Sequence, residues 1–406
     1  MDDRHAARGG RGTLVLTGAG SPAGRERSRD IPLSCLHEIH QLVGAHPRPV
    51  IALHVGEPYI RMPQEAVEGY CKALRDGHTA YTDARGLATL HQALAERLAG
   101  NGQPPPERLF VTPGSCQAIS AILQSLAVDG GQVVLPELHW PMHYQQVVMT
   151  GMRACFASFG EPGRSVPEAL EAAAGERTVA VLVNSPGNPS GRVWSEAELR
   201  ELHAWAVRRR VPVISDEAYE DFVYDGQPCR IANLDLELPP EERVVFSVHT
   251  FSKGYSMTGC RLGYATAPNA ERAMLLTRVQ ETTLVAPSTP VQYAGLAALG
   301  ASAHLAEHHA YVRRTRDAVV DLLGDKLLHL TPDGGWYAVL DLGSYVKDTY
   351  QFCKRALADI DVGIAPGRGF LPEGHPGADR LARISLCAER EATLEGVRRL
   401  TDYLGG

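Results

Sequence analysis

The stretch SVHTFSKGYSMTGCRLGY, residues 247–264, gathers small hydroxyl residues and glycines around Lys253 and sets Arg261 eight positions beyond it. It is flanked and partly built by two β-branched, apolar runs, RVVFSVHT (243–250) and RLGYATA (261–267), so the lysine lies in a loop between two predicted strands. What a lysine does in so small-walled a loop depends on what else the chain brings to it.

Working outward, further strand-like runs are RLFVT (108–112), QVVLP (132–136), RACFASF (153–159), TVAVLVNS (178–185) and VPVIS (211–215). Amphipathic stretches alternate with them. Between two of the runs Ser195 and Glu198 form a capping box, and Leu199, Leu202 and Ala206 follow at helical spacing. The pattern predicts an α/β fold in which helices pack on a mostly parallel seven-stranded sheet, forming a large domain over 60–300. Residues 31–59 and 301–406, the latter with GGWYAVLDL and RLARISLCA, are expected to form a smaller α+β domain from both ends of the chain. Residues 1–30, rich in Gly, Arg and Ser, are expected to be a disordered leader.

At 406 residues and 44% hydrophobic content the chain can bury a large core. A formal net charge of −7 with both signs mixed offers no basic face for nucleic acid. The apolar runs are strand-length, which argues against a membrane span, and no signal-peptide core precedes them. Eight scattered cysteines without a CxxC pair read as reduced thiols, which together with these absences points to a cytoplasmic protein.

Two motifs are set aside. Gly18, Gly20 and Ala23 make a GxGxxA pattern, but Pro22 and the polar GRERSRD follow it, so no apolar helix opens there as a dinucleotide site requires. His304 and His308 stand four apart on a predicted helix without a recurring acidic or cysteine ligand nearby, and a solvated helix face is the expected reading, with no metal.

A lysine does covalent chemistry when its neutral amine attacks a carbonyl, and pyridoxal phosphate is the common carbonyl that proteins keep on a lysine. Its phosphate needs amides and an arginine, its ring nitrogen a carboxylate, its phenolic oxygen donors, and its ring face an aromatic. Candidates for each occur. TPGSCQA leaves a strand and enters a helix with the apolar stripe Ile119, Ile122, Leu123 and Leu126, which aims the amides of Ser115 and Cys116 at an anion. Asp216 ends the strand VPVIS at the carboxyl edge of the sheet, where ligands of such folds bind.

NSPGNPSG (184–191), DEAY (216–219) and TFSKGYSMTGCRLG (250–263) resemble the class I/II aminotransferases, members of the fold-type I family of pyridoxal-phosphate enzymes. LHVGEP (53–58), AYTDARG (80–86), VTPGSCQA (111–118), PELHW (136–140) and RIS (383–385) follow in the same family order, so the resemblance runs from about residue 50 onward. It implies that Lys253 forms the internal aldimine and moves the substrate α-proton, that Asp216 pairs with the ring nitrogen, and that Tyr219 and Asn188 donate to the phenolic oxygen. It places Ser115, Cys116, Thr250, Ser252 and Arg261 on the phosphate, joined by Tyr81 from a neighbouring subunit, and so implies a homodimer with shared sites. Trp140 is expected to stack on the ring and adjoin substrate. Arg383 is expected to grip the substrate α-carboxylate, its planar fork suiting two oxygens, with the amide of Gly56 and the side chain of Asn188 close by.

The implied activity is an aminotransferase moving nitrogen between an amino acid and a 2-oxo acid. A lyase, a cyclase or synthase, or an oxidase on the same scaffold is the alternative, because the cofactor supplies the carbanion and the pocket decides its fate. A transcription regulator with an aminotransferase-like domain would need a DNA-binding module ahead of it, and none is legible. The chain departs from the usual family form in Tyr59 and Arg61 after GEP and in Arg368 of PGRGF. Either arginine is a candidate for an acidic or phosphorylated substrate group, or for a surface ion pair.

Overall fold

The computed structural model describes residues 27–100, 108–161, 163–226 and 228–405. The GxGxxA motif and residues 1–26 of the expected leader lie outside it, while Arg27–Asp30 form a 3-10 turn. The strands, in chain order, are β1 (Ile51–Ala52), β2 (Leu109–Thr112), β3 (Gln132–Pro136), β4 (Arg153–Ala157), β5 (Thr178–Asn184), β6 (Val213–Asp216), β7 (Val245–Thr250), β8 (Gly263–Thr266), β9 (Leu328–Leu330), β10 (Tyr337–Asp341), β11 (Val362–Gly363), β12 (Ala365–Pro366) and β13 (Leu381–Ser385).

All seven runs read as strands join one sheet, ordered β2-β8-β7-β6-β5-β3-β4. Only β8 runs against its neighbours, pairing antiparallel with both β2 and β7. Both faces of this sheet are covered, which is why its strands are continuous apolar runs. Leu135, Leu182, Ile214 and Phe246 point to one face, under the helix Gly114–Leu126 and its stripe of Ile119, Ile122 and Leu123. Val134, Val181, Val183, Val213 and Val245 point to the other, against Leu199, Leu202 and Trp205 of the helix Glu196–Arg209. That helix starts in the expected capping box, Ser195 and Glu198 each holding the other's backbone N–H.

The smaller sheet, β12-β13-β10-β9, is antiparallel throughout. β1 pairs in parallel with β11, so the two ends of the chain meet beside it. Trp336, Leu340, Ile384, Leu386 and Val397 fill its core. Among the described residues no helix is long and apolar enough to cross a membrane.

The packing sets two sizes of effect. Leu182→Ala, inside the sheet, should cost about 2–5 kcal/mol and Ser195→Ala, at the helix cap, about 1 kcal/mol, read from urea unfolding. An equal or reversed ranking would contradict this layering.

Candidate active site

The carboxyl ends of β5, β6 and β7 lie side by side, Asn184 opposite Asp216 and Asp216 opposite Val248. From that edge a closed ring of contacts can be followed. The Asn184 amide donates to the Asp216 carbonyl at 2.8 Å and its oxygen accepts from the Asn188 N–H at 2.7 Å. Asn188 Oδ1 accepts from Arg383 Nη1 at 3.1 Å. The Arg383 guanidinium lies 4.1 Å over the Tyr337 ring, whose hydroxyl is 3.4 Å from that of Tyr219. Lys253 Nζ stands 5.5 Å over the Tyr219 ring and 4.7 Å over that of Trp336.

The other half of the ring closes through the phosphate-type turn. Asp216 Oδ2 is 3.0 Å from His143 Nε2, and Trp140 meets the His143 ring edge-on at 5.2 Å. One turn along the same helix, Pro141–Met149, Gln146 donates to the Cys116 carbonyl at 2.8 Å. Cys116 and Ser115 sit in the first turn of the helix Gly114–Leu126, whose amides lack intrahelical partners. Gly114 has φ +82°, and a Cβ there would stand 2.9 Å from Arg261 Nη2. Arg261 Nη1 reaches Ser252 Oγ at 3.5 Å, and Thr250 Oγ1 donates to Ser252 Oγ at 3.0 Å, next to Lys253.

Every expected site residue except Tyr81 is thus joined. Gly56 enters because the Tyr337 hydroxyl fills the space a Cβ would need there, and the loop's own His54 carbonyl accepts from Arg383 Nη2 at 2.6 Å. Tyr81 is 85% exposed. His143, His54, Trp336 and Tyr337 were not foreseen. GGWYAVLDL reads as an ordinary buried strand, and nothing in sequence marks a histidine three residues after Trp140 as the partner of Asp216.

The electrostatics set two cations apart. Arg383 is 5% exposed and has no carboxylate within ion-pair distance among the described residues, and its Nε has no partner. Burial lowers its proton affinity, the sign expected of a cation without an anion. Burial above all, with Tyr337 beside it, holds the Tyr219 phenol well above its ordinary value, so it remains a donor. Lys253 has neither an ion pair nor a hydrogen bond through Nζ among the described residues.

One expectation is corrected. His308 lies on no solvated helix face; it is fully buried, whereas His304 is partly so. Among the described residues no group of three or more His, Cys, Asp or Glu is placed for a metal. Arg368 is held by Asp379 at 2.5 Å and Asp348 at 3.1 Å, which answers the surface ion-pair reading. Arg61 is exposed, and Tyr59 stacks on Tyr311. A cavity of about 560 Å³ runs from Trp140 and Asn188 out between the two sheets to Leu371 and His375. Its two arginines are occupied, Arg192 by Glu198 and Arg380 by Asp341.

Comparison with known proteins agrees with this geometry. Residues 48–400 match the sequence profile of aminotransferase class I and II. The aspartate/prephenate aminotransferase of Thermus thermophilus is 32% identical over 370 residues, 88% of this chain and 91% of that protein. A probable aspartate/prephenate aminotransferase of Aquifex aeolicus is 30% identical over 368 residues, 87% and 91% of the two chains. The crystal structure of the aspartate aminotransferase from Rhizobium meliloti superposes with a TM-score of 0.85 at 28% identity, over 94% of this chain and 98% of that one. The chain belongs to the class I and II aminotransferases, pyridoxal-phosphate-dependent transferases of fold type I. The residues present fit that cofactor: a free amine, a buried carboxylate, a helix N-terminus with an arginine against it, and an unpaired guanidinium for a substrate carboxylate.

The buried imidazoles give the fold a pH limit. Burial, chiefly, pushes His54, His139 and His308 down to about 4. The unfolded chain takes up protons near pH 6.5 that the folded chain refuses, so this stability is complete above 6.5 and is lost as pH falls toward 4. The urea midpoint should drop between pH 7 and 5, and less steeply in His139→Phe, which keeps a ring against Phe156. A midpoint unchanged over that range would contradict the assignment.

Proposed function

We propose that the chain catalyses transamination between an amino acid and a 2-oxo acid, with Lys253 as the reactive amine. The observation that carries this is one ring of contacts holding an unpartnered amine and a buried, unpaired guanidinium, the two groups an α-amino acid needs. Pyridoxal phosphate, when bound, supplies the carbonyl that condenses with amines and the ring that takes up the electron pair left on the α-carbon.

The chain's own residues divide the remaining work. The amides of Ser115 and Cys116 at the helix N-terminus, with Thr250, Ser252 and Arg261, hold the phosphate. Asp216, kept in place by His143, sets a negative charge at the ring nitrogen and favours its protonated form. Tyr219 and Asn188 would donate to the phenolic oxygen, and Trp140 would cover a ring face and exclude water. Arg383 would grip the substrate carboxylate, with the backbone amide of Gly56 near it. Lys253 Nζ, the free amine of the site, would hold the substrate α-proton and release it again.

The substrate side chain then extends into the cavity beyond Trp140 and Asn188. The named relatives act on aspartate or prephenate, but both arginines lining this cavity already have carboxylate partners, and Arg368 is likewise engaged. We place 60–300 as the cofactor-holding unit and 31–59 with 301–406 as the unit carrying Arg383. The 85% exposure of Tyr81 supports a homodimer in which it completes the partner's phosphate site. Eight free cysteines support a cytoplasmic setting.

Lys253→Ala should lose the visible absorbance of the bound cofactor and reduce turnover by several powers of ten, while equilibrium dialysis still finds cofactor bound. Parental absorbance and turnover in this variant would remove Lys253 from its role.

The type of reaction is tested by supplying an amino donor alone. A transaminase releases about one equivalent of keto acid per site and stops, with or without oxygen. Sustained turnover without an acceptor would establish a lyase or cyclase instead, and oxygen uptake an oxidase.

A further inference from the structure

We propose that His308 is a positioning residue for Lys253: its Nδ1–H caps the turn that carries the lysine, and its ring packs against Trp336, over which the lysine amine lies. The proposal rests on the reading of Lys253 as the reactive amine, which Lys253→Ala tests separately.

The turn is short and tightly enclosed. Ser256 N–H donates to the Lys253 carbonyl at 3.1 Å, and Ser256 itself sits at φ +53°. His308 Nδ1 lies 3.1 Å from the Gly254 carbonyl and 3.3 Å from Ser256 Oγ, touching the turn at two points. A carbonyl only accepts, so Nδ1 carries the proton and Nε2 does not. The Asp221 carboxylate also presses on the turn, so close that a Cβ on Gly254 would collide with it, and the same atom would stand 2.9 Å from Leu305 Cδ2. Asp221 is in turn tied to Arg97 Nη2 at 2.8 Å, and Arg97 Nη1 reaches the Tyr255 hydroxyl at 3.2 Å. The Lys253 turn is therefore gripped between a charged cluster and the helix Ser302–Leu327.

The ring of His308 also packs on the tryptophan that underlies the amine. Its centroid is 5.4 Å from that of Trp336 and 5.0 Å from that of Phe222, while Lys253 Nζ lies 4.7 Å over Trp336. Both His304 and His308 approach the Gly254 backbone, but only His308 is completely buried and lies against Trp336 and Phe222. A lysine that must serve two positions, bonded to the cofactor and then poised at the α-carbon, needs a stem that does not wander. A misplacement of about 1 Å costs on the order of a hundredfold in rate.

His308→Phe keeps the ring and removes the donor; His308→Asn restores an N–H near the Nδ1 position. In the cofactor-free protein, amide hydrogen exchange across residues 254–257 should speed up in His308→Phe and remain near the parent in His308→Asn. In the holoenzyme His308→Phe should lose about 10- to 100-fold in kcat with KM for the amino donor within about threefold, because Arg383 is untouched. His308→Asn should recover most of that loss. Parental exchange and kcat in His308→Phe would overturn the proposal, and so would an equal loss in both variants or a loss of protection spread over the whole sheet.

Discussion

The site depends on the hydrogen-bonded register of three parallel strands. β5, β6 and β7 bring Asn184, Asp216 and the end of the strand before Lys253 to one edge, and each of these residues faces the site because its neighbours are locked opposite it. A slip of one residue would turn Asp216 to the other face of the sheet and bring Ser215 or Glu217 into its place. The apolar alternation of Leu182 and Ile214 to one side and Val181 and Val213 to the other makes such a slip costly, since it would exchange the two cores. Core packing and catalytic geometry are thus one constraint.

On that frame the protein keeps charges where a stable monomeric core would not. A buried cation without a counter-ion is costly, and removing its partner from an existing pair typically costs several kcal/mol. Arg383 tolerates its place because Tyr337 and Phe370 present ring faces at 4.1 and 4.6 Å and two oxygens accept from it. These contacts satisfy the guanidinium in part and leave Nε unpartnered, a preorganised seat for a carboxylate. Lys253 is handled in the same way, with aromatic faces in place of an anion.

Asp216 shows the opposite arrangement. Its carboxylate is 3% exposed yet has His143 at one oxygen and the Ala218 N–H at the other, 3.1 Å away. One charge is held in a fixed orientation by partners of its own, and two others are left open to the ligand. The close approach of Gly114 and Arg261 depends on β8, the one antiparallel strand of its sheet, which returns the chain from the Lys253 turn to the start of the helix Gly114–Leu126.

Much of this was legible from residue order alone. The strands of the large sheet were set by local apolar runs bounded by turn residues, and the cofactor class by one lysine whose companions recur at family positions. Both are local signals, carried by neighbours along the chain. His143, Trp336, Tyr337 and His308 were not legible, because each acts through a contact with a residue more than fifty positions away. His308 was misread as a solvated histidine for that reason: helical spacing tells which residues share a face but not what the face packs against. The sequence by itself determined the fold class and the kind of cofactor and singled out Lys253 as the candidate amine, since propensity and motif act over short range. Tertiary structure alone decided which charges stay unpaired, that Arg368 is taken by Asp348 and Asp379, and which side chains hold the lysine in place, because burial and pairing exist only once distant segments are packed together.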